Sequence, residues 1–194
     1  MRQRLIFFLP LVCLAFEEKE ASKPPPPPES ILQRVWANRA STDLALKGRL
    51  FIERNRHMPV EVRIKNLADE VRTVYRGDKL ELLVVQVPRR STRFYLAGRG
   101  ELTTPQQQME RVLGSWISYY DLGLPFLSWP NPKFLGEDRM RGQDCYVLEV
   151  KSDSAPYRRV KLWIHNEYFA LLKAEAFDAD ENPVKRITVT SFKR

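Results

Sequence analysis

Cysteine and histidine are nearly missing from this chain, at two of each in 194 residues. A Gly-x-Ser-x-Gly elbow, zinc-ligand spacing and a phosphate-binding glycine loop do not occur. Those gaps remove most routes to metal-assisted, nucleophilic and phosphoryl chemistry, and no cofactor is expected. No DNA- or RNA-binding motif is present either, which argues against a nucleic-acid partner. Also missing is an apolar run of the roughly 20 residues that a spanning helix needs. A chain of this length makes one domain with appendages. It can bury roughly 70% of its unfolded surface without help from disulfides or metal.

Positive charge, by contrast, is plentiful. Lys and Arg number 32 against 24 Asp and Glu, a net charge of +8. The excess is spread over nearly every strand-like run. That is the pattern of a solvated basic face, which also suits an anionic membrane or an acidic partner. Of the few residues that could do chemistry, Cys145 and His165 could approach across neighbouring strands. Cys145, however, sits in an apolar alternation, where a cysteine behaves as a small inert core residue. Asp178, Asp180 and Glu181 cluster in a turn without the spaced oxygens and glycine of a calcium loop. The chain is not expected to be an enzyme.

Residues 1–16 have the form of a secretory leader, with Arg2 and Arg4 at the start and an apolar stretch from Leu5 to Phe16. The exit point is open and extends as far as residue 22. Cys13 follows Leu11-Val12 and only loosely resembles a lipobox, because a small residue belongs just before the cysteine. It is otherwise discarded with the leader, leaving Cys145 without a disulfide partner. Residues 17–29 carry charges and then five prolines, Pro24 to Pro28, an extended spacer. It serves either as a tether to a membrane or as a tail without a role. The folded domain is expected over 30–194, exported to the periplasm, monomeric and possible to tether.

Within that domain a period of two dominates. Leu44 to Glu53, Pro59 to Asn66, Glu70 to Arg76, Lys79 to Val87 and Thr92 to Leu96 alternate as strands. So do Gln143 to Lys151, Tyr157 to His165, Ala170 to Asp178 and Val184 to Lys193. Turns are expected at Asn55-Arg56, Ala68-Asp69, Gly77-Asp78, Gly142-Gln143, Asn166-Glu167 and Asp180 to Pro183. Nine or ten antiparallel strands are too many for a flat open sheet, so a curved one is expected, with helical material inside it. The first helix is predicted from Ile31 to about Thr42, with a capping box at Ser30 and Gln33. A second is predicted from Pro105 through Tyr120, capped by Thr104 and Gln107 and stopped at Gly123. Its apolar positions Met109, Val112, Leu113, Trp116, Ile117 and Tyr120 recur at three and four residues. The apolar loop Leu124 to Pro132 follows. This central segment either fills the sheet as core or lids an apolar cavity.

Several stretches carry a family likeness. They are Leu46-Lys47-Gly48-Arg49-Leu50, Phe126-Leu127-Ser128-Trp129-Pro130-Asn131-Pro132, Leu135-Gly136-Glu137, Gly142 to Leu148, Val160-Lys161-Leu162-Trp163-Ile164 and Val184-Lys185-Arg186. In their order they resemble the LolA/LolB-like superfamily, in its outer membrane lipoprotein-sorting protein branch, from about Ser30 to the end. The resemblance implies an α+β fold, a strongly curved antiparallel β-sheet (an incomplete barrel) wrapped around helices that cap a hydrophobic cavity. It implies a periplasmic carrier or binder of acylated lipoprotein or lipid for outer-membrane sorting, meeting an inner-membrane exporter or an outer-membrane acceptor. The alternative is a non-shuttling sensory or accessory module that binds a membrane exporter or regulatory protein. Family members hold a helical lid shut with an early-strand arginine, and Arg49, Arg54 and Arg63 are all placed for it without a motif to choose among them. From face and family position, the cavity walls are expected to be Trp36, Leu46, Leu50, Ile52, Trp116, Ile117, Phe126, Leu127 and Trp129.

Overall fold

The computed structural model describes residues 24–41, 43–53, 56–87, 92–153 and 157–193. The proposed leader, Cys13 and most of the spacer therefore lie outside the described residues, as do Arg54 and the side chain of Ile52. The chain begins with α1 (Pro28–Ser41) and then runs through β1 (Leu44–Glu53), β2 (Arg56–Leu67), β3 (Glu70–Gly77), β4 (Leu80–Gln86), β5 (Thr92–Leu96) and β6 (Gly100–Glu101). A central segment of short pieces follows: α2 (Pro105–Met109), a 3-10 turn (Val112–Gly114), α3 (Tyr119–Leu122) and a second 3-10 turn (Pro125–Ser128). The carboxyl-terminal half adds β7 (Lys133–Met140), β8 (Gln143–Lys151), β9 (Arg159–His165), β10 (Leu171–Phe177) and β11 (Pro183–Lys193).

All eleven strands form one antiparallel sheet in the order β6-β5-β4-β3-β2-β1-β11-β10-β9-β8-β7. It does not close. Each half of the chain is a meander of neighbours in sequence, and the pairing of β1 with β11 joins the two. Close backbone approach marks that joint. A Cβ on Gly48 would sit 3.0 Å from the Thr188 carbonyl oxygen, so only glycine fits without displacing β11.

The alternation in sequence becomes two faces in space. In β9, Val160, Leu162 and Ile164 are buried while Arg159, Lys161 and Trp163 turn the other way. On that second face the cations lie over rings: Lys173 Nζ is 3.9 Å from the Trp163 ring centre and Arg159 4.5 Å from that of Phe177. Part of the basic excess is thus occupied in packing.

The buried face divides into two clusters. The first joins Leu50, Met58, Val60, Tyr75, Leu82, Val84 and Phe94 to Val112, Ile117, Tyr119 and Leu122 of the central segment. The second joins Leu148, Val150, Val160, Leu162 and Ile164 to Ile31, Leu32 and Val35 of α1 and to Leu124, Phe126 and Leu127. Ile187 of β11 packs against both.

Four sequence expectations change. The single helix from Pro105 to Tyr120 is instead a chain of one-turn pieces. The backbone reverses at Leu113 (φ 48°) and Gly114 (φ 74°), and the arms meet through Arg111 and Ser118. Val112 N–H donates to Ile117 O at 2.8 Å, which closes that reversal. β7 was not expected, because a register shift between Phe134 and Gly136 interrupts its alternation. Finally, α1 starts at Pro28, so Ser30 lies inside its first turn, and Arg56 belongs to β2 rather than to a turn.

Candidate functional site

The central segment lies where the two clusters meet, and its caps explain its shape. Thr104 accepts from Gln107 N–H while Gln107 returns a bond to Thr104 N–H, which starts α2. Ser118 and Asp121 repeat the device at α3. The Asp121 carboxylate does more than cap. Its Oδ2 accepts from Ser118 N (2.7 Å), Ser118 Oγ (2.8 Å) and Lys185 Nζ (2.7 Å), and its Oδ1 accepts from Tyr157 Oη at 2.7 Å. Asp121 is buried and Lys185 keeps only a little solvent contact. This pin fastens α3 to β11 and to Tyr157, two residues before β9.

A second set of polar contacts holds the same few residues from the other side. Tyr75 Oη donates to Leu122 O at 2.7 Å, and Gln86 Nε2 donates to Gly123 O at 2.8 Å. Gln86 Oε1 in turn accepts from Arg39 Nη2 at 2.9 Å. Burial pushes the Tyr75 phenol up to about 12, opposed by the nearby Arg39 charge. Burial, then Asp121, pushes Tyr157 up as well. Burial also pulls the Arg39 guanidinium down.

A pH dependence follows from the tyrosines. Their folded-state values lie above the ordinary 10.0, so their contribution to stability is complete below that pH and is lost as pH rises through the folded values. Urea midpoints measured from about pH 8 to about pH 11 are expected to fall at the alkaline end, and Tyr75→Phe is expected to flatten the fall. A midpoint independent of pH would contradict the burial assigned to both phenols.

Beside the Asp121 pin lies a seam lined by Ile117, Phe126, Tyr157, Val160, Ala174, Ala176 and Ile187, with Asp121, Lys185 and Arg186 at its polar side. Its cavity measures about 10 Å³, room for about one water. Of the expected wall residues, Ile117 and Phe126 line this seam. Leu50 is buried in the first cluster and Leu127 in the second. Trp36 and Trp129 pack against the second cluster, Trp36 donating to Leu127 O at 3.3 Å and Trp129 lying 5.6 Å from the Tyr157 ring. Leu46 borders a separate hollow of about 160 Å³ with Val62, Glu61 and Arg63. Trp116 is 43% exposed beneath the Arg111 guanidinium, on the tip of the reversal.

Asp121, Tyr157, Lys185 and Arg39 are the residues that sequence reasoning missed. For Arg39 a signal existed: Leu32, Val35, Trp36 and Arg39 fall on one helical stripe, so the arginine continues an apolar face. Arg49 and Arg63, the early-strand candidates, are exposed.

Elsewhere the chemistry is structural. Cys145 stands directly opposite His165, but burial pushes its thiol up, which keeps it protonated. His165 Nδ1 accepts from Glu167 N–H and Tyr168 N–H, so its Nε2 donates to Gln143 Oε1 at 2.8 Å. Neither nitrogen is left to serve as a base for the thiol. Asp178 Oδ1 accepts from Asp180 N–H and Asn182 N–H, which spends it on its own turn. Among the described residues no group of three or more His, Cys, Asp or Glu could hold a metal ion.

Residues 97–194 match a family model described as "-like: Uncharacterized protein", which takes in half of the chain. A domain from Vibrio parahaemolyticus described as outer membrane lipoprotein-sorting superposes at a TM-score of 0.58 and 12% identity, covering 85% of this chain and 91% of that one. The chain belongs to the matched family, and its fold is LolA-like. A DUF1329 family protein from Desulfovibrio piger superposes at a TM-score of 0.57 and 14% identity, over 85% and 90% of the two chains. MucB in the Pseudomonas aeruginosa MucA/MucB complex matches at 0.54 and 17%, over 85% of this chain and 56% of that one. This chain thus spans about half the length of MucB. No curated protein matches the sequence. No helix among the described residues is long and apolar enough to cross a membrane.

Proposed function

We propose that this LolA-like domain is a non-enzymatic periplasmic binder or carrier of acyl chains, of lipoprotein or lipid, for outer-membrane sorting. The observation that carries the reading is the polar pin at an apolar seam: Asp121, Tyr157 and Lys185 hold a segment of single turns over the junction of two hydrophobic clusters. At about 10 Å³ the seam holds no acyl chain as it stands. The segment must lift, with the sheet curving around the space it leaves. One-turn pieces joined by loops can move separately, whereas one continuous helix could not. Each methylene entering the opened seam gains about 0.8 kcal/mol, so a long chain offsets several broken polar contacts. Ile117, Phe126, Leu50, Leu127, Trp36 and Trp129 are the proposed walls. Likeness to a lipoprotein-sorting domain supports the reading.

A second reading keeps the fold and drops the cargo: a module, tethered or free, that binds a regulatory or exporter protein. Likeness to MucB, solved in complex with MucA, favours it, as does the filled seam. Native mass spectrometry with lipid extraction on protein recovered from the periplasm separates the two. Co-purifying lipid or acylated peptide, exchangeable with a fluorescent fatty acid, is the expected result. An empty protein that also takes up no fatty acid would leave the partner-binding module.

A further inference from the structure

Arg39 stands apart from the other cations of this domain. It is 6% exposed, in a chain where most arginines reach water, and none of the ion pairs among the described residues includes it. Its Nη2 donates to two neutral oxygens, Gln86 Oε1 at 2.9 Å and Thr73 Oγ1 at 3.4 Å. Its Nε and Nη1 are shut away from solvent with no acceptor. A guanidinium is always charged, and a buried charge without a counter-ion is the costliest arrangement a side chain can adopt. Simple packing does not require it, because methionine would continue the Leu32, Val35, Trp36 stripe without a charge.

The surroundings say what kind of anion would complete it. The guanidinium lies 5.1 Å from the Trp36 ring centre, on a helix whose other inward residues belong to the second apolar cluster. Through Gln86 it is tied to the Gly123 carbonyl, two residues from the Asp121 pin. An oxyanion arriving there would come with an apolar body lodged beside it, under the same segment that must lift.

We propose that Arg39 receives the oxyanion that heads an acyl chain, a carboxylate or a phosphate, so that this site selects anionic over neutral lipids. The proposal rests on the acyl-binding reading above. Charge-assisted hydrogen bonds to the waiting Nε and Nη1 supply the preference, and entry of the anion neutralises a charge that the closed state leaves alone.

The test is binding of oleic acid, oleyl phosphate and methyl oleate to the intact domain, followed by displacement of a fluorescent fatty acid and by ligand-induced rise in Tm. The parent is expected to bind at least one of the two anionic ligands about tenfold or more tightly than the ester. Which of the two binds tighter identifies the headgroup. Arg39→Met is expected to bind all three alike, and Arg39→Lys to keep part of the preference. A parent that binds acid, phosphate and ester equally would overturn the assignment to Arg39 while leaving the acyl-binding reading intact. An Arg39→Met protein that keeps the preference would do the same. Binding of none of the three would overturn both. Should Arg39→Met fail to fold, the parent's acid-to-ester ratio and the Arg39→Lys ratio decide the matter.

Discussion

Replacing Asp121 with asparagine is expected to destabilise the domain by about 3–5 kcal/mol, the cost of removing one partner from a buried charge pair. Asparagine keeps the shape and an oxygen for the Tyr157 hydroxyl. It also places an NH2 group where Oδ2 now accepts from Ser118 N–H, Ser118 O–H and Lys185. Three donors would then face a donor, and Lys185 would keep its charge in a mostly buried position. At about 2–4 °C per kcal/mol for a domain of this size, the melting temperature drops by about 6–20 °C. The same change loosens α3, so fatty-acid uptake followed by stopped-flow fluorescence is expected to become faster even as the fold weakens. Wild-type stability together with unchanged uptake would mean that Asp121 pins nothing. Lys185→Met is the milder companion, since Asp121 then retains the Ser118 and Tyr157 donors.

Phe126→Ala is expected to cost about 3–5 kcal/mol, the range for truncating a buried phenylalanine. Phe126 is 3% exposed and belongs to the second cluster, while also lining the seam. The void left by its ring therefore opens onto the proposed ligand path instead of remaining sealed. A large apolar void of this kind stays dry and accepts small hydrophobic molecules. Urea unfolding with and without fatty acid is the measurement. Ligand at about 100 times its dissociation constant is expected to restore about 2.7 kcal/mol. Leu148→Ala, in the same cluster but away from the seam, is expected to lose stability without such rescue. Equal behaviour of the two variants would argue that the seam is ordinary core.

The strands were legible because each carries its own evidence. In β9, apolar residues alternate with the opposite face within seven positions, and the turn residues at the ends limit the run. β7 lost that evidence at Gly136, where one extra residue shifts the register. The central helix failed for a different reason. Apolar residues spaced by three and four satisfy a helix, but they also satisfy a path that delivers Ile117 and Leu122 to one cluster and Phe126 and Leu127 to the other. The sequence does not record which partner each side chain meets. Trp116 shows the same limit, since an aromatic at helical spacing was read as interior and stands at a loop tip. Asp121 and Lys185 are 64 residues apart and look like surface charges until the sheet places β11 beside the seam. Arg39 was the readable exception. A charge in register with Leu32, Val35 and Trp36 is visible on a helical wheel.

The pairing of β1 with β11 has a consequence for biogenesis. β1 comes first among the strands of this sheet to be made, and its partner on one side, β11, comes last of them. At translation rates of about 5–20 residues per second, the nascent chain carries an open, leucine-rich edge for on the order of ten seconds. The amino-terminal meander is complete during that wait, yet it ends in unpaired backbone donors and acceptors that a neighbouring chain could add to. Quality control should therefore act on this domain as a holding problem, in which a chaperone shields one strand until β11 arrives. Truncations that remove only the final strand are then expected to aggregate rather than to yield a slightly smaller soluble protein.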